Sequence, residues 1–489
     1  MADRRMRLPA GSLTRAIVLG YAVYLQAVPF ATATADPDVS DSVEDRLDEL
    51  ERRYSSLADE NRQLRAEIEE LRKSPATDSL PDCPADDAGQ LTETSPFFAG
   101  YDNGFVIAPV HPDEVPFSLK FNNQNMFRYT GFARAVRTFT DNAGNVTDIT
   151  NRSNIEIPRG RLIFSGNALL PDLGYYVNID YNTVTSNPIN FRGYWLSYRF
   201  SRAFQIFAGQ NKVPGSREWL ESSFSALGPD RSMATTFFRP SLSQGVWIAG
   251  EPLDGLFYHA MVSNGFNTLN TPPNELDSRF CYSGSVWWEP WGKFGPTYSD
   301  LEWHDEAVIR CGTSLTYSTE QGQQGNPNAP ENADIRLSDG TLITETGAFA
   351  PGVTLQTYNI GLAAFDFAWK RRGLSIATEI YLQELFSLHG DGPLPVSSTF
   401  ACGGFAQVAW FAIPSEFEIY GRTSQVAGAY GNGSEYAGGF NWYFLPGRNN
   451  LRFTLDAAWL VRCPADQNRT DYQAGNSGLL LRTQIQTLF

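Results

Sequence analysis

Arginine is the residue type best placed to do chemistry in this chain. Arg159 and Arg161 stand two apart, and Arg199, Arg452 and Arg482 each fall on the polar parity of a short alternating run, beside Asn, Gln, Ser, Thr and Tyr. A guanidinium presents a planar fork of donors that matches carboxylate or phosphate oxygens, and rings of such groups along a lumen favour anions. The same arginines could instead brace a wall by pairing with carboxylates, for which Asp180, Asp456, Glu416 and Glu418 are available. Part of the set is expected to do so.

Other constellations are weaker. Trp303-His304-Asp305-Glu306, with Asp300 and Glu302 nearby, could hold a metal or supply a carboxylate pair for glycoside cleavage, but reads first as an acidic tip on a hydrophilic loop. The cysteines are Cys83, Cys281, Cys311, Cys402 and Cys463. In an oxidising compartment they permit Cys281–Cys311 and Cys402–Cys463 bridges, although four cysteines allow three connectivities. Cys83, left over, could join neighbouring chains. Without a CxxC spacing and with only four His, no zinc site is expected. With no nucleophile elbow, P-loop or dinucleotide fingerprint either, no catalytic residues, metal or cofactor are assigned.

The elements that would position the arginines alternate with period two. In the run Arg161–Ala168, Leu162, Phe164, Gly166 and Ala168 share one face; Arg161, Ser165 and Asn167 share the other. After the turn signal Pro171-Asp172-Leu173-Gly174, Tyr175, Val177, Ile179 and Tyr181 oppose Tyr176, Asn178, Asp180 and Asn182. Residues 194–200 and 451–460 repeat the pattern. Such alternation describes half-buried antiparallel strands. Short turns such as Ser201–Arg202 against long polar segments such as Pro214–Gln244 and Gly322–Gly347, aromatics near strand ends, and a last amphipathic run closing on Phe489 point to a transmembrane barrel. Residues 118–489 accommodate 16 antiparallel strands at about 23 residues each, connections included, and 18 fit almost as well.

The 489 residues carry 19% charged and 13% aromatic side chains with a net charge of -16, which argues against disorder and against a nucleic-acid partner. Arg4, Arg5, Arg7 and Arg15, an apolar run Ala16–Phe30 and the small residues Ala33-Thr34-Ala35 form a secretory signal over residues 1–35. No later apolar stretch is long enough for a membrane helix, so an exported chain is soluble or spans as a closed barrel. Over residues 40–73 apolar positions step by four and three (Leu47, Leu50, Tyr54, Leu57, Asn61, Leu64, Ile68, Leu71), with Glu60–Arg65 and Glu67–Arg72 at complementary flanking positions. This spacing predicts a short parallel α-helical coiled coil, placed in the periplasm. Residues 74–117, with eight acidic and no basic side chains, read as an acidic linker before a barrel over 118–489.

Several motifs resemble the phosphate-selective porin O and P family. Ile157-Pro158-Arg159-Gly160-Arg161-Leu162 is similar to its arginine-rich early strand, and Ala208-Gly209-Gln210-Asn211-Lys212-Val213-Pro214 to its glycine-glutamine-x-lysine-x-proline segment. Asp230-Arg231-Ser232, Asn264-Gly265, the GGFNWY run Gly438–Tyr443 and the ending Leu481–Phe489 also match, over about residues 118–489. Gly160 departs from a second adjacent arginine, and Gly215-Ser216 from the usual Phe after proline. The resemblance implies a 16-stranded homotrimeric porin of the bacterial outer membrane, with an inward-folded loop narrowing the pore. That loop is placed within Pro214–Gln244, carrying Arg217, Arg231 and Arg239. Arg159, Arg161, Lys212 and Arg231 are the anion contacts by motif position, with Arg199 on the lumen face. Lys212 shares the parity of outward-facing Ala208, so it reaches the lumen only where its strand ends.

The expected function is passive diffusion of small solutes, anions such as phosphate among them, through a water-filled channel in outer-membrane lipid. One alternative is a barrel-anchored structural protein whose coiled coil tethers the envelope or mediates oligomerisation. Another is an exported β-rich carbohydrate-active enzyme.

Overall fold

A computed structural model describes residues 97–111, 115–323, 326–330 and 334–489. The signal segment and the coiled-coil reading lie outside these residues.

The alternating runs become one closed wall. Its first strands are β1 Leu119–Arg134, β2 Arg152–Asn167, β3 Leu173–Tyr181 and β4 Ile189–Arg199. Then come β5 Gln205–Lys212, β6 Leu242–Leu253, β7 Leu256–Ser263 and β8 Cys281–Trp288. The second half comprises β9 Val308–Gln323, β10 Leu355–Arg371, β11 Leu374–Gly390 and β12 Ser398–Ile413. It ends with β13 Phe417–Gly428, β14 Gly431–Tyr443, β15 Leu451–Val461 and β16 Gly478–Leu488. Each strand pairs antiparallel with its chain neighbour, and β16 returns to β1 with Arg482 opposite Thr130 and Leu488 opposite Gln124. The barrel therefore has 16 strands, not 18, and closure leaves no unpaired edge in the wall.

Because side chains alternate across a strand, register fixes which set meets which medium. Val246, Val262, Val286, Leu315, Trp410, Trp442, Trp459 and Leu481 stand exposed on the outer face. Thr454, Asp456, Arg482, Gln484 and Gln486, of opposite parity, are fully buried inside. Apolar outside and polar inside is the arrangement a bilayer imposes.

Most connections at one end are short. At Arg372-Gly373 both residues have positive φ (46° and 80°), the backbone a two-residue hairpin needs to match strand twist. At the other end residues 135–151, 213–241, 264–280 and 462–477 form longer loops. One connection breaks the rule. Residues 289–307 lie at the short-turn end, yet Phe294, Tyr298, Asp300 and Leu301 are buried.

Residues 97–109, expected to be linker, instead hold two short strands, Phe97–Tyr101 and Phe105–Pro109, the second paired with β1 through Phe105–Phe121 and Ile107–Leu119. The alternating Phe97, Phe105 and Ile107 supply strand propensity that the surrounding Pro and Gly obscure.

The expected disulfides are absent from the barrel. Cys281, Cys311, Cys402 and Cys463 are all unbridged. Cys281 shares the inward parity of Ser283, and Cys311 has the outward parity of Leu315 and lies opposite Trp288, at the far end of the β8–β9 hairpin. Cys402 is on β12 and Cys463 follows β15, three strands away. Neither pair meets the ~4.4–6.8 Å Cα separation a bridge requires. Denaturation without reductant should leave all four barrel thiols reactive to a maleimide; mass-shift gels read the number labelled, and two unreactive pairs would contradict the structure.

Candidate functional site: a cationic constriction

The connection from β5 to β6, residues 213–241, folds into the barrel. Two short helices, Arg217–Leu220 and Met233–Phe238, are capped by Ser216 and Ser232, whose hydroxyls accept from Trp219 N and Thr235 N. Glu379 on β11 accepts from the main-chain N–H groups of Arg217 (2.7 Å) and Glu218 (3.1 Å), and Glu435 on β14 from Met233 N (2.9 Å). From other sides, Ser283 donates to Pro214 O (2.8 Å), Asn441 to Leu227 O (2.9 Å), Arg452 to Ala226 O (3.0 Å) and Arg128 to Pro229 O (3.1 Å). Wall side chains thus satisfy loop backbone groups that have no secondary-structure partner, as burial demands. The loop crosses the lumen and is fastened around its circumference.

On this loop sits Trp219, 1% exposed. Four cations surround its ring: Arg239 at 4.4 Å, Arg231 at 5.0 Å, Lys212 at 5.3 Å and Arg192 at 6.0 Å. An indole face attracts cations through its quadrupole. The donors of Lys212, Arg231 and Arg239 go to main-chain carbonyls. Lys212, the last residue of β5, reaches Leu220 O (2.9 Å) and Glu221 O (2.8 Å). Arg231 reaches Glu218 O and Glu221 O, both 2.8 Å, and Arg239 reaches Pro240 O at 3.3 Å. A carbonyl orients a guanidinium without cancelling its charge. The positive ends therefore remain available to a mobile anion.

A cavity of about 240 Å³ opens on the loop side of this cluster, lined by Arg159, Arg192, Arg231, Arg239 and Arg469 with Asp334. Asp230 caps the wall beneath. It pairs with Arg159 and, at 3.3 Å, with Arg128, both side chains and the carboxylate being buried. Burial pushes the Asp230 carboxyl up, but the guanidiniums of Arg159, Arg128 and Arg231 outweigh it and hold the group well below the usual carboxylate range.

Two bulges bring strand cations into this ring. On β2 the register slips between the pairs Met126–Arg159 and Arg128–Glu156, leaving Ile157-Pro158 as the irregular step. On β4 it slips between Gly193 opposite Asn178 and Phe191 opposite Ile179, which makes Arg192 the extra residue. A bulge resets the facing of a strand, so both positions escape simple alternation.

Residues 134–283 match the family model for phosphate-selective porin O and P. Over this stretch the chain is similar to that family. No curated protein matches the chain. Similar solved structures include an anion-selective porin from Comamonas acidovorans, 11% identical with TM-score 0.49, covering 76% of this chain and 100% of that one. OmpT of Vibrio cholerae in a trimer form is 10% identical with TM-score 0.49, covering 76% and 99%. OprB of Pseudomonas putida is 9% identical with TM-score 0.46, covering 77% and 95%.

Within the barrel the residues singled out from sequence separate into three groups. Arg159, Arg231 and Arg239 line the cavity and Lys212 adjoins it across Trp219. Arg161 lies below, paired with Asp180 at 3.6 Å and bonded to Ser223 at 3.0 Å. Arg217 and Arg199 are elsewhere. Arg217 points away, bonded to Glu221 at 2.7 Å and stacked over Phe294 and Tyr298, because the helix it starts turns its side chain toward the opposite wall. Arg199 has inward parity but ends β4 at the short-turn rim, where it is exposed. Arg192 and Arg469 are cavity residues that alternation missed, one because of its bulge and the other because it sits in a loop turn, Asn468–Thr470. The isolated Trp219 amid polar loop residues was the signal that could have marked the centre.

Bracing also occurs as expected for part of the wall. Arg482 pairs with Asp456 at 2.5 Å, whereas Glu418 takes Ser299 (2.9 Å) and Asn441 (2.8 Å) instead of an arginine. Asp300, Glu302 and His304 do gather, their ligand atoms within 4.8 Å. Asp300 is nevertheless occupied, accepting from Gly373 N at 2.7 Å and meeting His304 Nδ1 at 2.5 Å, so it fastens the turn to the wall.

Proposed function

We propose that this porin forms a water-filled diffusion channel that prefers small anions, phosphate among them. The reading is supported chiefly by the four cations around Trp219, three of which spend their hydrogen bonds on carbonyls, not carboxylates. Beside a low-dielectric wall such charge concentrates anions and repels cations. Residues 1–35 act as the export signal, residues 40–73 as a periplasmic coiled coil, and the family resemblance supports a homotrimer in outer-membrane lipid.

The full mature chain, reconstituted in planar bilayers under a potassium chloride gradient, should show stepwise conductance and a reversal potential of the sign set by chloride. Added phosphate should reduce that current. Cation preference together with no phosphate block would overturn the anion reading, and a folded protein giving no conductance would overturn the channel itself.

A further inference from the structure

The inward loop and the turn 289–307 do not fill the barrel evenly. They bury the inner faces of β10–β16, where Tyr381, Phe405, Glu435, Thr454 and Arg482 are 4% exposed or less. Half-buried inward residues on β3–β9 include five aromatics: Tyr176, Trp195, Phe207, Phe257 and Trp287. A solute leaving the constriction toward the short-turn end travels along this wall.

The rings occur as cross-strand partners on the lumen face. Tyr176 lies opposite Trp195, Phe207 opposite Trp247, and Phe257 opposite Trp287. Each pair is stacked, with centroids 3.8 Å, 5.2 Å and 5.2 Å apart and planes within 14°. Trp195 meets Trp247 edge-on at 5.8 Å, and His259 continues the row 6.4 Å from Trp247. The rings therefore occupy six neighbouring strands, Tyr176 to His259 as one connected set and Phe257 with Trp287 as a second pair two residues from His259. The upper end of the row touches the constriction, since Val213 packs on Trp247 and its carbonyl accepts from Trp219 Nε1 at 3.1 Å. Its lower end carries Arg310, 4.9 Å over Trp287 and held among Asp366 (3.5 Å), Glu221 (3.7 Å) and Glu289 (3.8 Å).

One polar atom in the row has no partner. His259 is 91% buried, and its Nε2 makes no hydrogen bond. A buried ring nitrogen left unsatisfied costs free energy unless something in the lumen meets it.

We propose that this wall is a binding track for aromatic carboxylates, a class that joins the anionic group the cations select to a flat ring the track can stack against. This deepens the anion-channel reading and rests on it. As the carboxylate leaves the Trp219 cations its ring moves between offset-stacked positions on Trp195 and Trp287, and His259 Nε2 meets an oxygen in transit.

The test is inhibition of chloride current through the full chain in planar bilayers by benzoate, cyclohexanecarboxylate and glucose. The two carboxylates share charge and size, so their difference reports stacking alone. Benzoate should half-block at a concentration about three- to tenfold lower than cyclohexanecarboxylate. Trp195→Leu and Trp287→Leu should each narrow that ratio toward one, with Tyr176→Leu standing in if either variant does not assemble. The lipid-facing Trp288→Leu should keep the ratio. Equal block by the two carboxylates overturns the proposal, as does block by glucose that the same substitutions abolish. Loss of all chloride current in the unaltered chain would sink the underlying channel reading instead, so the two failures are distinct.

Discussion

Arg192→Glu combined with Arg239→Glu is expected to abolish the anion preference of the channel. Around the cavity, Arg159, Arg161, Arg192, Lys212, Arg231, Arg239 and Arg469 face the carboxylates Asp180, Asp230 and Asp334, an excess of four positive charges. At ~10 Å in water each excess charge is worth about 0.4 kcal/mol. Four attract an anion by about 1.6 kcal/mol and repel a cation equally. Salt screening removes about half of that. What remains between the two signs, about 1.6 kcal/mol, corresponds to a preference of roughly fifteenfold. The double substitution leaves five cations facing five carboxylates, so the net field vanishes. Both side chains line the cavity and neither is among the groups that fasten the loop to the wall. The reversal potential under a salt gradient should fall to near zero; an unchanged value would place the selecting charge elsewhere.

The second large effect is expected at Asp230. Its carboxylate lies between buried Arg159 and Arg128, and only Arg128 keeps another carboxylate, Asp471 at 2.7 Å, while Arg159 keeps just the Arg469 carbonyl at 3.4 Å. Asp230→Ala leaves Arg159 buried without its carboxylate, a loss on the order of 3–5 kcal/mol. The loop should detach locally before the barrel unfolds, because the wall has its own continuous ladder of hydrogen bonds while the loop depends on such anchors. Higher and noisier single-channel conductance is the expected result, with folded mobility on gels retained. Conductance matching the unaltered chain would show that the anchor is dispensable.

The pH dependence follows from the same pair. A carboxyl held below its unfolded value contributes stability that is fully present above ~3.9 and lost as pH falls through the lower native value. For Asp230 the native value is depressed, so the loop should stay fastened from neutral pH down to about pH 4 and loosen only in stronger acid. Conductance recorded across that range checks the sign, since noise rising already near pH 6 would require a different titrating group.

How much of this was legible before any coordinates is clear from particular strands. The faces of residues 161–168, 175–182 and 451–460 were readable because apolar and polar residues alternate with the period of a strand, and a bilayer outside with water inside enforces that alternation. The short turns at Pro171–Gly174 and Ser201–Arg202, the inward segment 214–244 and the inclusion of Arg231 and Arg239 followed from loop length and motif. The sequence by itself thus determined the wall and the inventory of charge.

Which charges remain uncancelled was decided only by the tertiary structure. Arg159 and Arg161 meet Asp230 and Asp180 through contacts 71 and 19 positions apart in the chain, while Arg192 enters the lumen through a bulge that no periodicity announces. Cys281 and Cys311 share a hairpin yet face opposite sides of it. Net charge is a sum over residues, but selectivity depends on pairing, and pairing is fixed by register, bulges and the docking of one loop across the barrel.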